Sequence, residues 1–167
     1  AASYQELINR ISDECKLKYT VVLRPGAQQL LEPEGPLFGP LVDVRFTKAT
    51  FDIGEAAKCI AAERGTAAVM HLMRVLEVGL HALAKAIGID YQPNWDAYIR
   101  KVNSYLDDAD ARGSKSKRNR GEKLRNINGD ILAIKHAWRN PAMHVEGTYT
   151  LEEATSIYRL TRTLMQR

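Results

Sequence analysis

An all-α fold is what this sequence predicts, and three observations carry the prediction. From Asp52 onward apolar residues recur at intervals of three and four, the period of a helix with one buried face. Within that region "AAVMHLMRVLEVGLHALAKAI" is apolar around most of its circumference, as the central helix of a bundle must be. Four of the six prolines (Pro25, Pro33, Pro36, Pro40), with Gly26, Gly35 and Gly39, fall between residues 20 and 50, so irregular backbone is confined there. The expected architecture is a helical bundle of about five to six helices. Residues 1–50 form an N-terminal helix and an irregular strap packing on the bundle, and residues 51–167 form the bundle itself, one domain overall.

Each element has its own local reason. "SYQELINRISDECKL" spaces Leu7, Ile8, Ile11 and Cys15 along one helical face behind Ser3 as an N-cap. In the strap, "TVVL" and "LVDVRF" alternate with a period of two and predict two short strands or extended segments. Asp52 is placed to cap a helix reaching Arg64; after Gly65 a second helix starts at Thr66 and runs to Ile87, with Gly88 as its C-cap. Its polar residues His71, Arg74, Glu77, His81 and Lys85 fall within an arc of roughly 120° at 100° per residue, a single stripe.

"PNWDAYIRKVNSYLDD" gives the next helix, capped by Asn94, with Trp95, Tyr98, Ile99, Val102 and Leu106 inward. A basic loop follows, and then "EKLRNINGDILAIKHAWRN" spaces Leu124, Ile127, Ile131, Ile134 and Trp138 as an amphipathic helix. Thr150 and Glu153 make a capping box for the closing helix, whose inward residues are Leu151, Ala154, Ile157, Tyr158 and Leu164.

Composition narrows the function classes. At 45% hydrophobic and 26% charged residues, the chain sits with globular proteins rather than with disordered or fibrous ones. No apolar run approaches the roughly 18 residues of a membrane span. The two cysteines, Cys15 and Cys59, have no zinc-like spacing, and no His/Cys/Asp set has metal-ligand spacing, so neither metal nor cofactor is expected. Without a signal-peptide pattern the expected compartment is the cytoplasm, and Ala1 in place of an initiator Met reads as a trimmed terminus.

Charge is unevenly spread. The chain carries a formal +4, and "GSKSKRNRGEKLR" alone holds Lys115, Lys117, Arg118, Arg120, Lys123 and Arg125 against Glu122, so the remainder is near neutral. Such a segment is either a solvated loop or a contact for nucleic-acid phosphates. With no aromatic residue interleaved, it implies no base stacking.

The chemically pointed stretch is "AWRNPAMHV". Asn140 precedes a proline and is biased away from helical angles, and Pro141 lacks a backbone donor, so the helix breaks or kinks there. Arg139 at the helix end offers a permanent charge and a planar fork for phosphate oxygens, and His144 a group that exchanges protons near neutral pH. Together they suit attack on a phosphodiester. The plainer alternative is that Arg139 caps the last carbonyls and His144 is a surface side chain; Asn140 either orients His144 or simply ends the helix. Arg74 and Glu77 form an internal ion pair or support His144.

"WRNPAMH" resembles the R-x4-6-H motif of the HEPN domain family, with Arg139 and His144 in the motif positions and Asn140 as the polar residue that often follows the arginine. The resemblance extends from Phe51 to the C-terminus. It implies a small α-helical bundle, often dimeric, and in many members a metal-independent ribonuclease of toxin–antitoxin, phage-defence or RNA-processing systems. On that basis His144 is the general base on the ribose 2′-hydroxyl, Arg139 stabilises the phosphorus oxygens, and the two motifs of a homodimer share one composite site. RNA is then the substrate, and a separate antitoxin protein a possible partner. The alternative reading is a catalytically silent HEPN-type module that dimerises and binds a nucleotide or RNA within a larger system.

Overall fold

The long apolar stretch becomes the axis of the molecule. In the computed structural model, which describes residues 2–18, 22–112, 115–139 and 147–167, that stretch is the helix Gly65–Ala86. Among the described residues there are eight α-helices: α1 (Ala2–Lys16), α2 (Gln28–Leu31), α3 (Pro40–Arg45), α4 (Thr50–Ala61), α5 (Gly65–Ala86), α6 (Trp95–Arg112), α7 (Lys115–Ile134) and α8 (Leu151–Met165). A 3₁₀ turn, Thr47–Ala49, leads into α4, and a π-helical segment, Lys135–Arg139, continues α7. The all-α bundle is as expected. Six of these helices have twelve or more residues, the number anticipated, and the two extra ones are short turns within the strap.

α5 packs against α4 on one side and α8 on another, with α6 also touching it, and α6 pairs with α7. By length and composition α5 would suffice to cross a membrane, yet Leu72, Val75, Leu76 and Leu80 are fully enclosed by the bundle. Truncating a leucine so placed costs about 2–5 kcal/mol. α5 closes in a Schellman arrangement: Gly88 takes a left-handed φ of 77°, Ile89 N–H donates to Ala84 O and Gly88 N–H to Lys85 O. α6 is capped by Asn94, whose Oδ1 accepts from Ala97 N–H at 2.9 Å, and Trp95, Tyr98, Ile99, Val102 and Leu106 are all buried. α8 starts on the anticipated capping box between Thr150 and Glu153.

The strap departs from expectation. No strand forms among the described residues; Leu41 to Arg45 of "LVDVRF" are helical in α3, while residues 20 and 21 of "TVVL" lie outside the described residues. The reason for α3 is local: Gly39 adopts φ 92°, and Pro40 at the first helical position needs no backbone donor. Val42 and Phe38 then bury against the bundle, the Phe38 ring edge-on to Tyr158 at 5.1 Å. The N-terminal helix forms but does not pack as expected, for Leu7, Ile8 and Ile11 of α1 stay 54, 42 and 53% exposed. Ser3 lies inside α1 rather than capping it.

A second correction concerns the basic segment. The residues ahead of Glu122 are expected to form a loop, and from Lys115 onward they are instead the first turns of α7. Lys, Arg and Glu lose little rotamer freedom in a helix, and no proline interrupts the run, so the apolar spacing downstream propagates backwards through it. A third concerns Asp52, which sits within the first turn of α4 as a buried residue rather than as its cap; α4 itself ends at Ala61, short of Arg64.

Candidate functional site

The carboxylate of Asp52 collects two donors from α5. Arg74 Nε–H donates to Asp52 Oδ1 at 2.8 Å, and His71 Nδ1 lies 2.8 Å from the same oxygen. Burial pushes the Asp52 carboxyl up, but the hydrogen bonds and charges of Arg74 and His71 outweigh it and hold the group below its ordinary value. An ionised carboxylate has no proton to give, so the donor in this contact is the His71 Nδ1–H. The Phe51 ring, two-thirds exposed, stands edge-on to His71 at 6.5 Å. This cluster is an oriented imidazole beside an exposed guanidinium.

The sequence marked Arg74 and His71 as members of one polar stripe but not their partner. Asp52 is nineteen residues from His71, and only the packing of α4 on α5 brings them together. The internal pair anticipated between Arg74 and Glu77 does not form: Arg74 is bound to Asp52, and Glu77 lies 3.8 Å from His81 instead. The His81 ring is stacked obliquely on Tyr98 at 4.8 Å, which ties the lower stripe to α6.

The second region surrounds the Arg139 motif. Asn140 and His144 lie outside the described residues, as does the Arg139 side chain; the backbone reaches Arg139 as the last residue of the π-helical segment. That segment is fastened at its beginning and near its end. Lys135, almost buried, donates from Nζ to Asp96 Oδ1 at 2.7 Å on the first turn of α6, and this bond holds the Asp96 carboxyl below its usual range. Beyond the motif, Tyr149 Oη–H donates to the Trp138 carbonyl at 2.9 Å, and Tyr149 N–H donates to Thr66 Oγ1 at 2.9 Å. Burial raises the Tyr149 hydroxyl above its ordinary value, which keeps it a donor throughout the neutral range.

Gly65 explains why the returning chain lies so close to α5. A Cβ at this position would stand 2.3 Å from Tyr149 O and 2.7 Å from Thr150 O, both backbone atoms that cannot turn aside. On the described residues flanking the motif, Trp138 and Tyr149 are joined by a hydrogen bond, and Tyr149 is anchored on Thr66 at the N-terminus of α5.

The six basic residues divide. Lys115, Lys117, Arg118 and Arg120 have helical backbone in α7, and their side chains lie outside the described residues. Arg125 approaches Asp107 of α6 at 3.7 Å, and Lys123 is exposed on the rim of a groove. Among the described residues no group of three or more His, Cys, Asp or Glu side chains gathers to hold a metal ion. No protein-family model, no curated protein and no solved structure matches the chain.

Proposed function

We propose that the chain is a metal-independent endoribonuclease of HEPN type, acting through Arg139 and His144. The observation that supports this reading most directly is the clasp around the motif. Helix α7 changes to π-helical winding over its final five residues, a feature frequent at functional sites, and the chain beyond the motif returns to hydrogen-bond the carbonyl of Trp138, next to Arg139. A pinned helix end suits a guanidinium that must meet a phosphate in one position.

In the proposed reaction His144 takes the proton from the ribose 2′-hydroxyl as its oxygen attacks phosphorus, Arg139 stabilises the charge on the non-bridging oxygens, and the 5′-oxygen leaves. The products are a 2′,3′-cyclic phosphate and a 5′-hydroxyl. The base contributes about 10²–10⁴ in rate and the charge donor about 10²–10³. A second copy of the chain, facing the first across a two-fold axis, supplies His144 as the acid that protonates the leaving oxygen. Asn140 orients His144, and the Lys115–Arg125 run along α7 leads the RNA backbone toward Arg139. A toxin or defence setting, with a separate antitoxin, is part of the same reading, as is the cytoplasm as its compartment.

The test is incubation with total RNA in EDTA, followed by analysis of the fragment ends. Cyclic phosphate ends, lost in both His144→Ala and Arg139→Ala variants with unchanged far-UV circular dichroism, are expected. Intact RNA with the unsubstituted chain transfers the assignment to a non-catalytic binding module.

A further inference from the structure

One concavity is lined by none of the residues of the Asp52 cluster or of the Trp138–Tyr149 clasp. A groove of about 560 Å³ opens between α5, α7 and α8, within the range typical of small-molecule sites. Its walls are apolar. Leu124 and Ile127 belong to the inward stripe of α7, yet they remain only half buried, as does Leu83 of α5, because all three face this groove. Two apolar helix faces meet here without filling the space between them.

The rim is different in kind. Arg45, Lys123 and Arg167 line it, and no carboxylate does. Arg167 is bound to Asp130, but neither Arg45 nor Lys123 has an acidic partner among the described residues. These cations come from three separate parts of the chain, α3, α7 and the segment after α8, so their convergence belongs to the tertiary fold and not to the basic run of the sequence. An apolar trough bordered by two cations, Arg45 and Lys123, that no described acidic side chain pairs is complementary to a molecule with a hydrocarbon body and a single negative end.

We propose that this groove binds an aliphatic monoanion, a carboxylate with an unbranched hydrocarbon tail. The tail lies along Leu83, Leu124 and Ile127, and the carboxylate sits between Arg45 and Lys123. RNA is a poor match for the apolar walls, which present no row of aromatic rings for stacking. A second copy of the chain docked symmetrically brings the three cations near their own counterparts, which like-charge repulsion opposes. The site shares Lys123 with the basic run proposed to lead RNA, but it does not rest on the ribonuclease reading.

The experiment is calorimetric titration of the full chain with sodium dodecanoate below its micelle concentration, against dodecyltrimethylammonium as a probe of equal tail and opposite head charge. One saturable site for dodecanoate is expected, with the cation at least about tenfold weaker and the difference shrinking as salt screens the rim. An Arg45→Ala/Lys123→Ala double variant, both residues being exposed, should fold normally and weaken dodecanoate about tenfold or more while leaving the cation no weaker. Ala82→Phe, which fills the trough, should remove binding of the tail altogether. Equal affinity for the two head groups, dodecanoate binding unchanged in the double variant, or no saturable binding at all overturns the proposal.

Discussion

Thr161 shows how a single side chain can be read against the average. It is completely buried in α8, and its hydroxyl has no hydrogen-bond partner among the described residues. An unsatisfied buried hydroxyl costs more than a methyl group of the same shape, so Thr161→Val should raise stability by about 1 kcal/mol and the melting temperature by about 2–4 °C. A melting temperature that falls instead means the hydroxyl has a partner. Asp52 is the opposite case, a buried group fully engaged by Arg74 and His71. Asp52→Asn should cost about 1–3 kcal/mol near neutral pH, because the two donors lose an ionised acceptor. Since the folded carboxyl lies below its ordinary value, this contribution is fully present above the unfolded value of about 3.9 and is lost as pH falls through the folded one. Denaturant melts of the two proteins should therefore differ at pH 7 and converge in acid, and a gap that persists at low pH contradicts the assigned ion pairing.

At the scale of elements, the bond from Tyr149 to the Trp138 carbonyl depends on how closely the segment before α8 lies against α5. Gly65→Ala drives a Cβ into the Tyr149 and Thr150 carbonyls. Overpacking of this kind costs about 1–3 kcal/mol, and on the proposed ribonuclease reading it should also abolish RNA cleavage, since Tyr149 is drawn away from the Trp138 carbonyl next to Arg139. Tyr149→Phe isolates the second effect. It removes only the bond to the Trp138 carbonyl, which costs about 0.5–1.5 kcal/mol. If the proposed ribonuclease reading holds, the free-energy loss in cleavage rate should exceed the loss in stability, and equal losses in the two would reduce Tyr149 to a structural residue. The helices themselves followed their sequence signals where a side chain caps them, as at Asn94 and the Thr150–Glu153 box. They departed where tertiary contact overruled the local signal: Asp52 has a capping residue's chemistry, but burial against His71 and Arg74 claims it first. "LVDVRF" has a strand's alternation, but a lone strand has nothing to pair with, whereas Pro40 after Gly39 starts a helical turn at little cost.

For the molecule as a whole, α1 stands apart from the core that Leu72, Leu76 and Leu80 organise. Removing residues 1–17 should lower the melting temperature by less than about 3 °C, corresponding to under about 1 kcal/mol, because no described side chain of α1 is buried. A larger fall would show that α1 packs in solution. The proposed binding of RNA is tested at the scale of the whole molecule. If the basic first half of α7 contacts phosphates, affinity should fall linearly with the logarithm of salt, and neutralising Lys117, Arg118 and Arg120 together should reduce that slope by about 3 units. An unchanged slope places the RNA elsewhere.

By itself the sequence determined what repeats along the chain or acts between near neighbours: the all-α class, the central position of α5, the inward faces of α6 and α8, and the caps at Gly88, Asn94 and Thr150. Periodicity and capping are encoded within a few residues, and any fold that buries those faces must respect them. Only the tertiary structure decided what is shared between distant segments. It joined Asp52 to His71, returned Tyr149 to the carbonyl of Trp138, and gathered Arg45, Lys123 and Arg167 around one apolar groove. Each of these depends on how helices lie against one another, and packing geometry is set by the fit of whole faces, which no local pattern specifies.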